Sequence, residues 1–290
     1  MDRLRISVVE YLNTAPLVWS FKHGPLAGKY DLSFTVPSQC AEDLRLGRAD
    51  IAIIPAIECQ RIPDLDVIPD VAIASKGAVR SILLVSKVSI KQARHVALDS
   101  SSRSSAALVR LLCQGYWGIH PEFVEAQPDV AAMLAHADAA LVIGDPALRL
   151  QLRHEAGQPA FPGAEKLGAD KLFIYDVAEQ WRQWTGRPAV LALWAARHGC
   201  ATSEVVADFL AAKQYGLKRI REIAVNTAIQ LDLPAASLAS YLRHNIDFSL
   251  DAANLAGLKL FYEKAAQAGL IHAASPLRFA HHHARVQVES

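Results

Sequence analysis

Hydrophobic and polar positions follow two different patterns along the chain. Between residues 4 and 195, short runs rich in valine and isoleucine alternate with segments whose apolar positions recur at helical spacing. This alternation is typical of βαβ units around a largely parallel sheet, so we predict an α/β protein. The predicted strands are 4–9, 32–36, 49–55, 79–86, 94–98, 122–125, 139–143, 171–175 and 190–195.

From residue 203 onward the strand alternation stops and the pattern is helical throughout. A run of helices of this size must bury its apolar faces against a sheet formed earlier in the chain. The predicted helices between the strands are 15–21, 39–46, 103–114, 129–135, 145–153 and 176–185, and those of the C-terminal part are 204–215, 217–231, 234–243 and 251–268.

Two α/β units followed by a helical tail predict a protein of two lobes joined by a hinge. We expect the chain to leave the first lobe near residue 87, to build the second lobe, and to return near residue 186. The first lobe is then 1–87 plus 186–290, with the helical tail packed on it, and the second lobe is 88–185. Ligands of such proteins bind in the cleft between the lobes.

Composition and charge exclude several classes of function. The chain is 52% hydrophobic and 20% charged, and 30 basic against 29 acidic residues leave a net charge of +1. We therefore expect a folded protein without the basic field that nucleic acid or an acidic membrane surface requires. Neither a signal peptide nor an apolar run of about 18 residues is found, so we predict a cytoplasmic protein with no membrane partner.

Nothing in the sequence indicates a metal or a nucleotide cofactor. The four cysteines lie far apart without zinc spacing, and the three consecutive histidines at 281–283 cannot all face one ion. Glycine-rich nucleotide loops, the serine-hydrolase elbow and the HExxH helix are also missing. We therefore expect no cofactor and no metal site.

Polar residues follow the first predicted strand, where open α/β sheets expose their ligand-binding loops. In the sequence YLNT, Asn13 carries one acceptor and two donors on a short stem. A tight turn, or capping shared with Thr14, explains Asn13 equally well, and Thr14 is a candidate N-cap for the next helix.

A second polar stretch, DSSSRSS at 99–105, opens the helix predicted after strand 94–98. Free backbone N–H groups, the positive end of the helix dipole and several hydroxyls together form a site for a carboxylate or phosphate. A serine-rich N-cap without a ligand is the alternative, but five hydroxyls exceed what capping needs. We therefore favour an anion site.

Two further stretches lie near the expected cleft. Ser81, at the start of VRSILLVS, is placed to donate into the cleft, whereas Arg80 points the other way and is expected to pair with a surface carboxylate. In IGDP, Gly144 allows the backbone to approach a ligand closely. For Asp145 we favour a helix-capping role over catalysis.

Seven segments give the chain a resemblance to the chorismate dehydratases of the futalosine route to menaquinone. They are YLNTAPLVW at 11–19, ADIAIIPAIE at 49–58, VRSILLVS at 79–86, LDSSSRSSAALVRLL at 98–112, ALVIGDPAL at 140–148, the segment 176–197 and the segment 241–271. The resemblance implies the fold of type II periplasmic binding proteins. It also implies a carbon–oxygen lyase that takes chorismate without a cofactor, and it leaves monomer and homodimer open.

The resemblance also assigns roles to individual residues. It implies that Asn13 and Ser81 are catalytic, and that the substrate is bound by Tyr11, Leu12, Thr14, Pro55, Ser102, Arg103, Ser104, Ser105, Gly144 and Asp145. Ser104 stands where the family pattern has threonine and keeps the hydroxyl. The related 1,4-dihydroxy-6-naphthoate synthase and a non-catalytic carboxylate-binding protein are the alternatives.

An amide and serine hydroxyls are poor bases near neutral pH. We therefore expect the substrate's own enolpyruvyl carboxylate to take the ring proton, while Asn13 and Ser81 hold the geometry. A base supplied by Asp145 or by a histidine in the cleft is the alternative.

Overall fold

The computed structural model describes residues 3–164 and 172–281, which contain two five-stranded sheets and the helices around them. The strands are β1 (Arg5–Val9), β2 (Asp31–Thr35), β3 (Ile51–Pro55), β4 (Leu65–Ser75), β5 (Ile82–Ser86), β6 (His95–Asp99), β7 (Glu122–Ala126), β8 (Ala139–Ile143), β9 (Phe173–Asp176) and β10 (Ala189–Arg197).

Helices cover both sheets. They are α1 (Ala15–His23), α2 (Pro37–Arg45), α3 (Ser104–Leu112), α4 (Val130–His136), α5 (Gly144–Glu155), α6 (Val177–Thr185), α7 (Ser203–Leu217), α8 (Ile220–Leu231), α9 (Ala235–His244) and α10 (Ala252–Gln267). Short 3₁₀ turns at Leu12–Thr14 and Ala56–Gln60 follow β1 and β3. The α/β class predicted from the alternation is confirmed.

The first sheet has the strand order β2-β1-β3-β10-β4. Strand β1 pairs in parallel with β2 and β3, whereas β10 runs antiparallel to β3 and β4. All five residues of β3 are buried, as expected of a central strand covered on both faces. The parallel pairing brings the carboxyl ends of β1 and β3 to the same edge of the sheet.

The second sheet has the strand order β7-β6-β8-β5-β9. Strand β6 is parallel to β7 and β8, and β5 is antiparallel to β8 and β9. In this register Ile82 at the start of β5 lies beside Ile143 at the end of β8. The residues just before β5 therefore share a sheet edge with the loops that follow β6 and β8.

The helical tail covers the first sheet, as the sequence predicted. Helix α7 packs against α1 and β4, α8 packs against α9, and α10 packs against β10. Helix α10 also contacts α3, so the tail reaches elements that flank the second sheet. Among the described residues, no helix combines the length and apolar character that crossing a bilayer requires.

The structure differs from the sequence prediction in two strands. Strand β4 was not predicted, because Pro69 and Asp70 interrupt its alternation and Asp70 takes a left-handed backbone conformation with φ of 58°. Strand β5 was assigned to the first lobe, but it is hydrogen-bonded in the second sheet. The lobe limits 1–87 plus 186–290 and 88–185 stay a prediction, and we propose moving the first crossing to 76–81.

Two predictions fall partly on residues that the structure does not describe. The strand predicted at 171–175 begins at Phe173 among the described residues, and residue 171 lies outside them. The histidines at 282 and 283 also lie outside the described residues.

The four cysteines are unpaired, and burial raises the pKa of the Cys40 and Cys113 thiols to about 12, which agrees with inert structural thiols.

Candidate functional site

The ends of strands from both sheets meet in one cleft, where loops after β1, β3, β6 and β8 face each other. Nine of the twelve residues predicted for the site line this cleft: Tyr11, Asn13, Pro55, Ser81, Ser102, Arg103, Ser104, Ser105 and Gly144. Apolar residues that were not predicted complete the lining. They are Val9, Pro37, Ile73, Ile82, Ile143, Leu191 and Ala192.

Asn13 reaches the cleft because the chain turns sharply after β1. The backbone N–H of Thr14 donates to the Tyr11 carbonyl at 3.0 Å and closes a 3₁₀ turn that places Asn13 at its centre. The Thr14 side chain makes no capping bond to α1; its hydroxyl donates weakly to Asn13 Oδ1 at 3.4 Å. Thr14 thus occupies the predicted N-cap position of α1 without a side-chain capping bond, and Thr14, which is buried, does not line the cleft.

Ser81 lies opposite, just before β5, and is held at two points. Its carbonyl accepts from the Gly144 N–H at 2.8 Å, and its hydroxyl accepts from the Tyr241 hydroxyl at 2.8 Å. Tyr241 was not predicted as a site residue, because nothing in the pattern of α9 distinguishes it from a core aromatic. Arg80 pairs with Glu155, as expected for a residue facing away from the cleft.

The serine-rich stretch forms the start of α3. The Asp99 carboxylate accepts from the Ser101 N–H at 2.8 Å and the Ser101 hydroxyl at 2.6 Å, which fixes the loop. The Ala107 N–H donates to the Arg103 carbonyl at 3.1 Å, as expected for the first turn of the helix. The N–H groups of Ser104 and Ser105 precede that bond and are available to an anion.

Ser104 links the helix start to the other wall of the cleft. Its hydroxyl oxygen accepts from the Ile57 N–H, which follows β3, at 3.2 Å. The hydroxyl proton of Ser104 then remains free to donate to a ligand. Ser102, Ser104 and Ser105 are all buried, so a bond from any of them to an anion is shielded from water.

Arg103 lines the cleft, but its guanidinium is already paired. Its two terminal nitrogens contact Glu58 and Glu42, each at 2.9 Å, and both carboxylates come from elements that flank the first sheet. Glu58 is fully buried and also pairs with Arg45 and Arg61. Arg103 therefore links α3 to the first sheet. The two glutamates largely neutralise the charge of its guanidinium, although Arg103 was predicted to bind the substrate.

Tyr11 and Gly144 approach each other across the cleft. A Cβ atom at residue 144 would lie 2.6 Å from the Tyr11 ring, and Gly144 has a φ of 68°. Position 144 therefore requires glycine for two reasons: its backbone is left-handed, and the Tyr11 ring leaves no room for a side chain. Burial raises the pKa of the Tyr11 hydroxyl to about 12, so it stays protonated at neutral pH.

Asp145 and Leu12 form a second link between the two sides, outside the cleft lining. The Leu12 N–H donates to Asp145 Oδ1 at 3.0 Å. Asp145 lies in the first turn of α5 and makes no capping bond to that helix, so the capping prediction is wrong. Burial raises its pKa to about 6, partly offset by the Leu12 bond. The structure therefore does not place Leu12 and Asp145 with the cleft residues.

The cleft offers hydrogen-bond donors on both walls over an apolar floor. Amide, hydroxyl and backbone N–H groups can bind carboxylates and a departing oxygen, but they cannot remove a proton from carbon. Histidine does not occur among the residues found to line the cleft, so a cleft histidine as base has no support within the described part of the chain. The arrangement suits a small anionic ligand that is positioned and stabilised by donors.

Comparison with known proteins shows the family to which the chain is similar. A family model described as menaquinone biosynthesis matches residues 4–267. A protein named chorismate dehydratase from Thermus thermophilus is 27% identical over 260 residues, which cover 89% of this chain and 93% of that protein.

Solved structures show the same fold at lower identity. A protein from Archaeoglobus fulgidus is 17% identical with a TM-score of 0.70, covering 93% of this chain and 98% of that one. A Candida albicans protein described as having the generic periplasmic binding protein fold is 12% identical, with a TM-score of 0.65 and full coverage of both chains. The two-lobed fold expected from the sequence is thereby confirmed.

Proposed function

The chain belongs to the menaquinone biosynthesis family, and from this membership we propose that it is a chorismate dehydratase. The reaction removes water from chorismate and gives 3-[(1-carboxyvinyl)oxy]benzoate, which makes the protein a carbon–oxygen lyase. The observation that carries the proposal is the cleft itself, in which Asn13 and Ser81 face the serine-rich start of α3. A dicarboxylate with one departing hydroxyl matches this arrangement of donors.

The serine-rich helix start is the proposed site for one substrate carboxylate. The N–H groups at the start of α3 and the hydroxyls of Ser102, Ser104 and Ser105 converge on the cleft without a free guanidinium. A helix N-terminus attracts a carboxylate through its dipole and its free N–H groups. Tyr11, Pro55 and Gly144 then enclose the ring.

The base in this proposal is the enolpyruvyl carboxylate of the substrate. It takes the proton from the ring carbon that bears the ether, and the electrons of that C–H bond form the new ring double bond. The bond from the neighbouring carbon to its hydroxyl breaks, and hydroxide leaves. The carboxyl proton neutralises that hydroxide, so an aromatic product and one water balance the reaction.

Asn13 and Ser81 supply positioning and hydrogen bonds to the departing oxygen. Donors already in place in a water-poor cleft stabilise charge that develops in the transition state, and they need no reorganisation. Aromatisation makes the reaction favourable, so the protein only has to lower the barrier. Correct orientation of the enolpyruvyl group toward the ring proton contributes through proximity.

The test is incubation of purified protein with chorismate and no added cofactor, followed by ultraviolet detection of an aromatic product. We expect 3-[(1-carboxyvinyl)oxy]benzoate to accumulate as chorismate disappears. The comparison variant is Ser81→Ala, which removes one proposed donor and should form the product more slowly. Chorismate that is bound but returned unchanged would instead support a non-catalytic carboxylate-binding protein. A protein that ignores chorismate and converts a cyclic futalosine derivative would be the 1,4-dihydroxy-6-naphthoate synthase.

A further inference from the structure

Tyr241 makes a buried hydrogen bond to the side chain proposed to act in the cleft. Its hydroxyl donates to Ser81 Oγ at 2.8 Å, and each of the two residues is 1% exposed. Tyr241 lies on α9 in the helical tail, 160 residues further along the chain. This contact is therefore a product of the tertiary fold, and water does not compete for it.

The helical tail also holds the chain segment that carries Ser81. Asn245, at the end of α9, donates its side-chain amide to the Ala78 carbonyl at 2.9 Å. Asp247 and Ala74 exchange two backbone bonds at 2.7 and 2.9 Å. With both sides of the contact fixed by these bonds, the Tyr241 hydroxyl has a defined position relative to Ser81.

The direction of the Tyr241 bond determines what Ser81 can do. The bond runs from the Tyr241 hydroxyl to Ser81 Oγ, and burial raises the pKa of Tyr241 well above its ordinary value, so the phenol keeps the proton that it donates. A serine hydroxyl has one proton and two lone pairs. Because one lone pair of Ser81 is taken, its proton is left to donate elsewhere, and Ser81 lines the cleft.

We propose that Tyr241 is a positioning residue that orients the Ser81 hydroxyl as a hydrogen-bond donor toward the departing hydroxyl of the substrate. The inference rests on the proposed dehydration and adds to it a residue that does not itself line the cleft. Tyr241 acts on the reaction through Ser81, and its hydroxyl also interacts with the Asn13 side chain. Without the phenol, Ser81 rotates freely and spends part of its time with its proton turned away from the ligand.

Tyr241→Phe tests this assignment, because it removes one oxygen and keeps the ring that packs in the core. We expect kcat to fall roughly tenfold while KM stays within about twofold, since a hydrogen bond of about 1.4 kcal/mol is lost chiefly in the transition state. In a Ser81→Ala background the same change should lower kcat by less than about twofold, because the group it orients is gone.

Tyr262→Phe is the matched control. Tyr262 is also a buried tyrosine of the helical tail, and its hydroxyl donates to the Ala56 carbonyl at 2.7 Å. It is not among the residues that line the cleft. We expect Tyr262→Phe to lose a similar amount of thermal stability to Tyr241→Phe and to keep kcat.

Each outcome separates the inference from the proposed function. Wild-type protein that does not convert chorismate would overturn the proposed function and the inference with it. Active wild type beside a Tyr241→Phe variant with unchanged kcat would overturn the inference alone. A loss of kcat that is equally large in the Ser81→Ala background would show that Tyr241 acts on the fold or through Asn13 and not through Ser81, which also overturns it.

Discussion

The Tyr11 ring occupies the space that a side chain at Gly144 would need, so these two residues set the width of the cleft. Tyr11 follows β1 of the first sheet, and Gly144 follows β8 of the second. A methyl group at 144 would have to push the ring away or separate the two sides, since the ring atoms would lie 2.6 Å from it. The smallest possible residue thus allows the two walls to close on a ligand.

Gly144→Ala should lower kcat/KM at least tenfold, because the Tyr11 ring must move and closure becomes incomplete. The variant should also lose about 1–2 kcal/mol of stability from the left-handed backbone and the contact. Steady-state kinetics with chorismate and thermal denaturation measure both effects.

Gly186→Ala serves as the control for backbone strain. Gly186 also has a φ of 68°, but a Cβ atom there would meet nothing within 4 Å. We expect a smaller loss of stability, from the backbone conformation alone, with kcat/KM unchanged. If both alanine variants lose the same activity, the contact between Tyr11 and residue 144 has no role in closure.

Most of the cleft could be predicted from the sequence, because its residues sit in local patterns. Asn13, Gly144 and the serines near 104 each follow a strand at the edge where open α/β sheets bind ligands. What these side chains bond to could not be predicted. The resemblance assigned Arg103 to substrate binding, yet its guanidinium pairs with Glu42 and Glu58, which are distant in sequence.

The same limit explains the missed residues. Tyr241 occupies an ordinary apolar position of α9, and only the packing of that helix on the segment before β5 brings it to Ser81. Strand β4 was missed because Pro69 and Asp70 interrupt its alternation of apolar and polar residues. Periodicity identifies which face of an element is buried, but it does not identify the element against which that face packs.

Asn13→Asp should lower kcat about 100-fold or more, although the two side chains have the same size. The carboxylate places a negative charge beside a departing hydroxide and removes the amide N–H donors. Single-turnover kinetics with chorismate measure the chemical step directly. Asn13→Ala should be similarly impaired, and full turnover by either variant would remove Asn13 from the mechanism.

Arg103→Gln should weaken closure of the two lobes. The guanidinium joins α3 to Glu42 and to the buried Glu58, and its loss leaves Glu58 with partners only from the first sheet's side. We expect a higher KM for chorismate, severalfold or more, with kcat less affected. Small-angle scattering should show compaction of the wild type on adding product and less compaction of the variant.

Arg45→Gln provides the matched control for Arg103. Arg45 contacts the same Glu58 carboxylate oxygen, at 2.6 Å, but it lies on α2 beside the first sheet. Removing it takes a similar charge from Glu58 without cutting a link between the two sides. KM and compaction should stay at wild-type values, and an identical response of the two variants would refute the role of Arg103 in closure.

Asp145→Asn tests whether the Asp145 carboxylate has a structural role or is the catalytic base. Burial raises the pKa of Asp145 from 3.8 to about 6. Between pH 4 and pH 6, Asp145 is protonated more in the folded state than in the unfolded state. The free energy of unfolding that this group contributes therefore falls as the pH rises from 4 to 6. The variant keeps an oxygen that can accept from the Leu12 N–H, and it carries no charge.

Above pH 6 the Asp145→Asn variant should therefore be more stable than wild type, by about 1–3 kcal/mol, and this advantage should vanish near pH 4. Denaturant titrations at several pH values measure the difference. Turnover of chorismate should fall no more than severalfold, because the base we propose is the enolpyruvyl carboxylate of the substrate. A variant that loses both turnover and the acidic limb of the pH–rate profile would instead make Asp145 the base.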